Sequence, residues 1–133
     1  MRILLVDDDP AGAELTAAAL SELGLGASVI KAADGEEALD YLFRRPPYTD
    51  SPETPPAVVL LDLKMPKVDG HEVLRQIRGD ARLQRTHVVV LTSSDQESDI
   101  ARSRALGMDA YLVKPTSIAE LIDALGRLLP AWG

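Results

Sequence analysis

Residues 2–9 read RILLVDDD, an apolar run that stops at three carboxylates. The same pattern of an apolar run followed by a charged residue occurs in residues 57–62, AVVLLD, and in residues 110–115, AYLVKP. Short runs rich in leucine and valine are typical of buried strands in a parallel sheet that helices cover on both faces. Because the carboxyl ends of parallel strands meet in one crevice, we expect the charged residues that follow them to converge there.

Helix-like segments alternate with strand-like runs along the whole chain, which predicts an α/β fold with a doubly wound sheet. The predicted strands cover residues 2–6, 27–33, a run ending at 61, 88–91 and 110–113. The predicted helices begin after Asp9, at Asp34, and at residues 70–78, 98–106 and 117–129, and the last opens on a capping box of Ser117 and Glu120. Residues 44–57 contain five prolines and predict an irregular surface loop.

Length and composition restrict the class of protein. The chain has 133 residues, of which 46% are hydrophobic and 26% charged, and this predicts one domain over residues 1–133. A net charge of −7 argues against nucleic acid as a partner, because binding the phosphate backbone needs a basic surface. Without cysteine there is no disulfide and no thiolate metal site. No apolar run is long enough to span a membrane, so we expect a cytoplasmic protein.

Four carboxylates follow the first and third strands. Asp9 precedes Pro10 and is expected to cap the first helix, but Asp7, Asp8 and Asp62 have no such role. Grouped carboxylates repel one another, and a bound cation is the usual remedy. An oxygen-only ligand set favours Mg²⁺ or Mn²⁺. A carboxylate beside such an ion can attack phosphorus, and Asp62 is the candidate nucleophile.

Thr92 and Lys114 end the fourth and fifth strands and should face the same crevice. The ammonium can pair with Asp62 or with a phosphoryl oxygen, and the hydroxyl can donate a hydrogen bond to another oxygen. The peptide bond between Lys114 and the following proline is a candidate for the cis form. His71 and His87 lack a third ligand in the sequence and are interpreted as surface histidines without a role.

The motifs VDDD (residues 6–9), LDLKMPKVDG (61–70), LTSS (91–94) and YLVKP (111–115) resemble the receiver domains of two-component response regulators. The resemblance covers essentially the whole chain. It implies a flavodoxin-like five-stranded parallel sheet of order 2-1-3-4-5, a single receiver domain with no output domain, and phosphotransfer signalling. It implies no enzyme activity beyond self-phosphorylation and self-dephosphorylation. The proline-rich loop and the Ala131-Trp132 ending resemble the single-domain regulators associated with bacterial phytochromes.

The resemblance assigns the metal ion and the phosphoacceptor. Asp62 would accept a phosphoryl group from a sensor histidine kinase, which the subfamily resemblance suggests is a bacterial phytochrome. Mg²⁺ would be held directly by Asp8, largely through water by Asp7, and also by Asp62 and the backbone carbonyl of Lys64.

The resemblance also assigns the response to phosphorylation. Thr92 and Lys114 would bind the phosphoryl oxygens, and Tyr111 would be the aromatic residue whose position reports phosphorylation. Lys64 and Ser94 occupy the positions that flank the path of the attacking water in this family. They leave the lifetime of the phosphoryl group undetermined.

A homodimer is the expected assembly. In the resembling regulators the fourth helix, fifth strand and fifth helix form the dimer face. The leucines of the fifth helix exceed what one stripe against the sheet requires, and the chain carries an aromatic residue near its end: Leu121, Leu125, Leu128, Leu129 and Trp132. An isologous contact is the commonest closed arrangement, so we expect two-fold symmetry.

Two alternatives stay open from the sequence alone. An Mg²⁺-dependent phosphohydrolase of the haloacid-dehalogenase kind would use Asp7 as its nucleophile, with Asp9 two residues later. Against it, Pro10 and Ala11 replace the expected Gly-Thr continuation, and the chain has no room for a substrate cap. The second alternative is an interaction module of the same fold that is never phosphorylated.

Overall fold

The computed structural model describes residues 1–52 and 54–132, except for the side chains of Ala131 and Trp132. Its centre is a sheet of five strands in the order β2-β1-β3-β4-β5, and every neighbouring pair is parallel. The strands are β1 (Ile3–Val6), β2 (Val29–Ala32), β3 (Val58–Leu61), β4 (His87–Thr92) and β5 (Ala110–Val113). The predicted fold class and strand order are confirmed.

Five helices connect the strands: α1 (Pro10–Glu22), α2 (Gly35–Leu42), α3 (Gly70–Arg78), α4 (Glu97–Ala105) and α5 (Ile118–Leu128). Four of them begin at a side-chain oxygen that accepts a hydrogen bond from a first-turn N–H group, supplied by Asp9, Asp34, Asp69 and Ser117. Such caps satisfy backbone donors that the helix itself leaves unpaired. None of the described helices has the length and apolar character needed to cross a membrane.

The register of the sheet aligns the strand ends. Val6 lies opposite Ala32 on one side and Leu61 on the other, and Thr92 lies opposite Val113. The residues that follow these positions therefore emerge along one edge of the sheet. This is why Asp7, Asp62 and Lys114 come together although they are far apart in sequence.

The core has two halves, one on each face of the sheet. Alternate residues of the central strands feed each half, so Leu4 and Val59 pack with α2 and α3, while Leu5 and Leu60 pack with α1 and α5. Every residue of β1 and β3 is buried. Full burial of a leucine or valine contributes about 1.5–3 kcal/mol, so the strands that carry the aspartates are firmly held.

Three details differ from expectation or refine it. β2 is shorter than predicted, because residues 26–28 form a 3-10 turn before the strand. Residues 44–57 contain no helix or strand among those described, as predicted. Arg44 closes this loop by donating hydrogen bonds to the carbonyls of Thr49 at 2.9 Å and Ser51 at 3.1 Å.

The leucines of α5 correct the argument for an exposed dimer stripe. Leu121, Leu125 and Leu129 are buried in the core, and Leu128 packs against it. The stripe is broad because α5 contacts both the sheet and α1, so it needs more leucines than a helix with one neighbour. The side chain of Trp132, on which the expected dimer also rested, lies outside the described residues.

Candidate functional site

Three carboxylates meet at the carboxyl end of the sheet. Asp7 and Asp8 follow β1, Asp62 follows β3, and one oxygen from each lies within 4.8 Å of the others. Asp7 and Asp62 are buried, whereas Asp8 is exposed. Asp9 has a different role. Its carboxylate accepts a hydrogen bond from the N–H of Ala11 and caps α1.

Lys114 is the cation of this cluster. Its Nζ lies 2.8 Å from Asp7 Oδ2 and 3.1 Å from Asp62 Oδ2. Burial lowers the pKa of Lys114, but the hydrogen bond to Asp7 and the charge of Asp62 outweigh it, and the pKa is raised. The sequence predicted the Asp62 contact and missed that of Asp7. The bond to Pro115 is trans, contrary to the cis form considered from the sequence; the trans form is also the ordinary preference before proline.

Thr92 lies beside Lys114 on the neighbouring strand. It is fully buried at the end of β4, and its carbonyl accepts a hydrogen bond from the Lys114 N–H at 2.7 Å. Its Oγ1 lies 3.5 Å from the backbone nitrogen of Ser94. Because this long contact is the only side-chain hydrogen bond of Thr92 among the described residues, its hydroxyl is able to turn and donate to an oxygen that arrives in the crevice.

Glycines let two helices approach the cluster closely. A Cβ on Gly12 of α1 would lie 3.0 Å from Asp7 Oδ2 and 3.5 Å from Lys114 Nζ. A Cβ on Gly70 of α3 would lie 2.2 Å from the carbonyl oxygen of Asp62, a distance that no real side chain tolerates. The start of α3 therefore rests directly on the backbone of the central aspartate.

Lys64 and Ser94 stand at the rim of the crevice. The Lys64 N–H donates to Asp62 Oδ1 at 3.4 Å, but its ammonium turns away and lies 3.5 Å from Asp99 Oδ2. The Ser94 hydroxyl donates to the same Asp99 oxygen at 2.6 Å. This hydrogen bond is the main reason that the pKa of Asp99 is lowered. Tyr111 joins the group, since its hydroxyl donates to the Ser94 carbonyl at 2.9 Å.

His71 is buried, so its interpretation as a surface histidine is wrong. Its Nε2 lies 2.9 Å from Ser103 Oγ and 3.4 Å from the carbonyl oxygen of Asp99, which ties α3 to α4. A sequence signal existed, because His71 stands one turn before Leu74 on the apolar side of α3. The role of Asp99 had no such signal, since α4 lacks a clear apolar face and its charges look alike in the sequence.

The donor set fits a hard divalent cation. Three carboxylates face one ammonium, so the cluster carries two negative charges in excess. Every available ligand atom is an oxygen, the type that Mg²⁺ and Mn²⁺ prefer. A cavity of about 320 Å³ opens beside the cluster, lined by Asp7, Asp8, Pro10, Ala13, Glu14, Lys31, Ala32, Ala33 and Glu37.

Comparison with known proteins gives this geometry a family. Residues 3–126 match the response regulator receiver domain. Response regulator Rcp1 from Synechocystis is 35% identical over 130 residues, which span 98% of this chain and 87% of Rcp1. The solved Mn²⁺-bound form of Rcp1 superposes with a TM-score of 0.83 at 34% identity, over 98% of this chain and 92% of that one.

Two further solved structures belong to phytochrome systems. The phosphorylated cyanobacterial phytochrome response regulator RcpA superposes with a TM-score of 0.89 at 35% identity, over 98% of this chain and 92% of its own. The bacteriophytochrome response regulator AtBRR is 48% identical, with a TM-score of 0.80, over 96% of this chain and 91% of its own. These matches do not favour the phosphohydrolase or the unphosphorylated module. The chain belongs to the response regulator receiver family, and its role is that of a phosphoacceptor in two-component signalling.

Proposed function

We propose that Asp62 is the residue that accepts the phosphoryl group, and that the donor is the phosphohistidine of a sensor histidine kinase. In the transfer, an Asp62 oxygen bonds to phosphorus while the bond from phosphorus to the imidazole nitrogen breaks and leaves its electron pair on that nitrogen. The observation that carries the proposal is the packing of three carboxylates within 4.8 Å of one another, two of which share the Lys114 ammonium. Asp7 is the weaker candidate, because the Asp9 N–H holds its second oxygen at 3.0 Å, whereas the Lys64 N–H lies 3.4 Å from the second oxygen of Asp62.

Mg²⁺ is the metal ion that we propose for the cluster. Asp7, Asp8, Asp62 and the backbone carbonyl of Lys64 would hold it, and water would complete its coordination. When bound, the ion would neutralise charge on the transferring phosphoryl group. The exposed position of Asp8 supports this assignment, because it leaves the cluster open to a hydrated ion from solvent.

Lys114 and Thr92 are proposed to bind the phosphoryl oxygens. Lys114 already lies 3.1 Å from Asp62 and keeps its proton, so it offers a charge-assisted hydrogen bond to the incoming group. Among the described residues the Thr92 hydroxyl donates no hydrogen bond, so its proton is available at the end of β4. Thr92 ends β4 and Lys114 directly follows β5, so the sheet holds both in place without further ordering cost.

The partner kinase is proposed to be of the bacterial phytochrome type, on the strength of the phytochrome regulators among the relatives. Cytoplasm is the location that we propose for the chain, because the proposed kinase would use ATP. The net charge of −7 supports signalling by protein contacts rather than through nucleic acid.

Phosphorylation is proposed to act through Tyr111 on a homodimer face made of α4, β5 and α5. If Thr92 turns toward a phosphoryl oxygen, the Ser94 loop moves, and the hydrogen bond from Tyr111 to Ser94 moves with it. The face carries two exposed apolar residues, Val113 at 45% and Ile118 at 37% exposure, and β5 is an edge strand.

Asp62→Asn tests the phosphoacceptor. We expect the variant to take up no phosphate from a candidate kinase with ATP and Mg²⁺, whereas Asp9→Asn, which alters only the neighbouring helix cap, should be labelled like the wild type. Mass spectrometry should place the phosphate of the wild type on Asp62. Phosphate on Asp7, or undiminished labelling of Asp62→Asn, would reject the assignment.

Ile118→Asp tests the dimer face. We expect it to give a monomer by light scattering at about 10–50 μM, where the wild type is dimeric, because a charge in an apolar contact costs more than a weak interface supplies. Leu15→Asp is the matched control, since Leu15 on α1 has the same 37% exposure. A monomeric wild type, or dissociation by both variants, would exclude this face.

A further inference from the structure

Asp99 of α4 connects the two side chains that border the crevice. Its Oδ2 accepts a hydrogen bond from Ser94 Oγ at 2.6 Å and lies 3.5 Å from Lys64 Nζ. The Asp99 side chain is 13% exposed, whereas that of Lys64 is 68% exposed. The exposed Lys64 ammonium is thus held by the more buried Asp99 carboxylate.

Both partners of Asp99 begin beside the reacting groups. The Lys64 backbone nitrogen lies 3.4 Å from Asp62 Oδ1, and that of Ser94 lies 3.5 Å from Thr92 Oγ1. A side chain that starts at either place can turn over the crevice or away from it. The Lys64 chain is long enough to cover the crevice, but in this structure it turns away toward α4.

Asp99 is itself fixed from behind. His71 Nε2 lies 3.4 Å from the Asp99 carbonyl oxygen and 2.9 Å from Ser103 Oγ, one turn further along α4. His71 is 5% exposed and stands near the start of α3, which packs against the Asp62 backbone through Gly70. The helix that carries Asp99 is therefore tied to the same segment that carries the phosphoacceptor.

Hydrolysis of a phosphoryl group on Asp62 needs water on the open side of the crevice. The water oxygen bonds to phosphorus in line with the Asp62 oxygen, whose bond to phosphorus breaks. The electron pair stays with Asp62 as its carboxylate, phosphate leaves with the oxygen of water, and one proton goes to solvent. An ammonium group over the open side would obstruct the approach of this water.

We propose that Asp99 is a positioning residue that keeps the Lys64 ammonium away from the water path and so sets how quickly phosphorylated Asp62 is hydrolysed. The inference rests on the proposed function of Asp62. Asp99 touches neither the phosphoryl group nor the metal ligands' carboxylates. It acts only by where it holds Lys64 and Ser94.

The test measures the lifetime of the phosphorylated protein. The full chain is phosphorylated with acetyl phosphate and Mg²⁺, the donor is removed by rapid desalting, and loss of phosphate from Asp62 is followed by mass spectrometry. We expect Asp99→Ala to lengthen the lifetime on the order of three- to tenfold, because the freed lysine obstructs in-line attack. Asp99→Asn keeps an oxygen for Ser94 but loses the charge that holds Lys64, so it should lengthen the lifetime as well.

A double variant separates positioning from a structural effect. Adding Lys64→Ala to Asp99→Ala should shorten the lifetime again by at least about threefold, because the obstructing group is gone. Asp95→Ala is the matched control, since it removes an exposed carboxylate from the loop that leads from Ser94 into α4 and should keep the wild-type lifetime. An unchanged or shorter lifetime in Asp99→Ala, or a double variant as slow as Asp99→Ala, overturns the inference alone. Absence of phosphate from Asp62 in the wild type overturns the proposed function and the inference with it.

Discussion

The two ends of the sheet use aspartate in opposite ways. At the amino end, Asp109 Oδ2 accepts hydrogen bonds from Arg78 Nη2 at 2.8 Å and from the Val88 N–H at 2.7 Å, and its Oδ1 lies 3.4 Å from His87 Nδ1. At the carboxyl end, three carboxylates lie within 4.8 Å of one another, and the Lys114 ammonium pairs with only two of them among the described residues, Asp7 and Asp62. The first arrangement satisfies its charge within the chain, and the second leaves negative charge to be satisfied from outside.

The difference gives a criterion that distinguishes an aspartate that stabilises the fold from one that serves a ligand. Residue type is the same at both ends, and exposure does not separate them, since Asp109 and Asp8 are both exposed, but the balance of charge and hydrogen bonds differs. A carboxylate whose charge and hydrogen bonds are paired within the chain stabilises the fold. A cluster with excess negative charge lowers the free energy of unfolding until a ligand binds and neutralises that charge. The two ends therefore respond in opposite directions to the same kind of substitution, and the following predictions use this contrast.

The largest effect is expected from the glycines at the two ends of α3. In Gly70→Ala the new Cβ would lie 2.2 Å from the Asp62 carbonyl oxygen, and we expect a loss of about 3 kcal/mol or more in the free energy of unfolding. In Gly79→Ala the nearest atom would lie 3.4 Å away, and we expect a gain of about 0.5 kcal/mol from a more restricted unfolded chain. Urea unfolding followed by circular dichroism compares them. Similar losses in both variants would mean that α3 is equally constrained at each end.

Removal of one aspartate at each end should give changes of opposite sign. We expect Asp109→Ala to destabilise the protein by about 2 kcal/mol, because Arg78 and the Val88 N–H lose a charged hydrogen-bond partner. With metal removed by EDTA, Asp8→Ala should stabilise by about 0.5–1 kcal/mol, because it relieves repulsion within the cluster. The measurement is urea unfolding in EDTA, and destabilisation by Asp8→Ala would contradict the functional interpretation of that end.

The affinity for Mg²⁺ should depend on the aspartates at the carboxyl end of the sheet and not on Asp109 at its amino end. We expect Asp8→Asn to weaken Mg²⁺ binding by about tenfold, because a carboxylate ligand becomes a neutral amide. Asp109→Asn should bind Mg²⁺ within about twofold of the wild type, since that residue is at the far end of the sheet. Isothermal titration calorimetry checks both variants. Equal weakening would indicate an effect on folding rather than on a metal site.

The smallest effect is expected on the exposed flank of α3, where Glu72 and Arg75 form a solvated pair. The hydrogen bond from Arg75, followed by that from Gln76, lowers the pKa of Glu72 to about 2. A lowered carboxyl pKa contributes stability above the ordinary value of 4.5, and this is lost as the pH falls from 4.5 toward 2. Screening by water keeps the contribution small. In Arg75→Gln the Glu72 pKa should rise toward 4.5, as carboxyl NMR would show; an ordinary pKa in the wild type would contradict the pairing.

The fold could be predicted because its signals are local. Buried strands read as continuous apolar runs, and Asp9, Asp34 and Asp69 mark helix starts at the residues where the structure places them. The crevice followed from a rule of topology, since the ends of parallel strands meet at one edge. The positions of Asp7, Asp62 and Lys114 directly after strands were enough to predict that these residues meet in the crevice.

The parts that could not be predicted depend on how whole elements pack. The width of the buried stripe on α5 is set by its contact with α1, so an apparent excess of leucine did not reveal an exposed face. The burial of His71 and the partners of Asp99 depend on where α4 rests against α3 and on the course of the Ser94 loop. The spacing of His71 from Leu74 indicated a buried position, but no spacing in the sequence identifies the partners of His71 and Asp99.

The proline-rich loop offers a practical handle. It leaves α2 and leads into β3, so it lies at the amino end of the sheet, away from the crevice. Thr49 and Asp50 are exposed at its tip, and the bonds from Arg44 to Thr49 and Ser51 hold the base of the tip together. Exposed loop tips are where inserted domains are best tolerated. A fluorescent reporter placed between Thr49 and Asp50 would let single molecules be followed during signalling while the chemistry proceeds undisturbed at the other end.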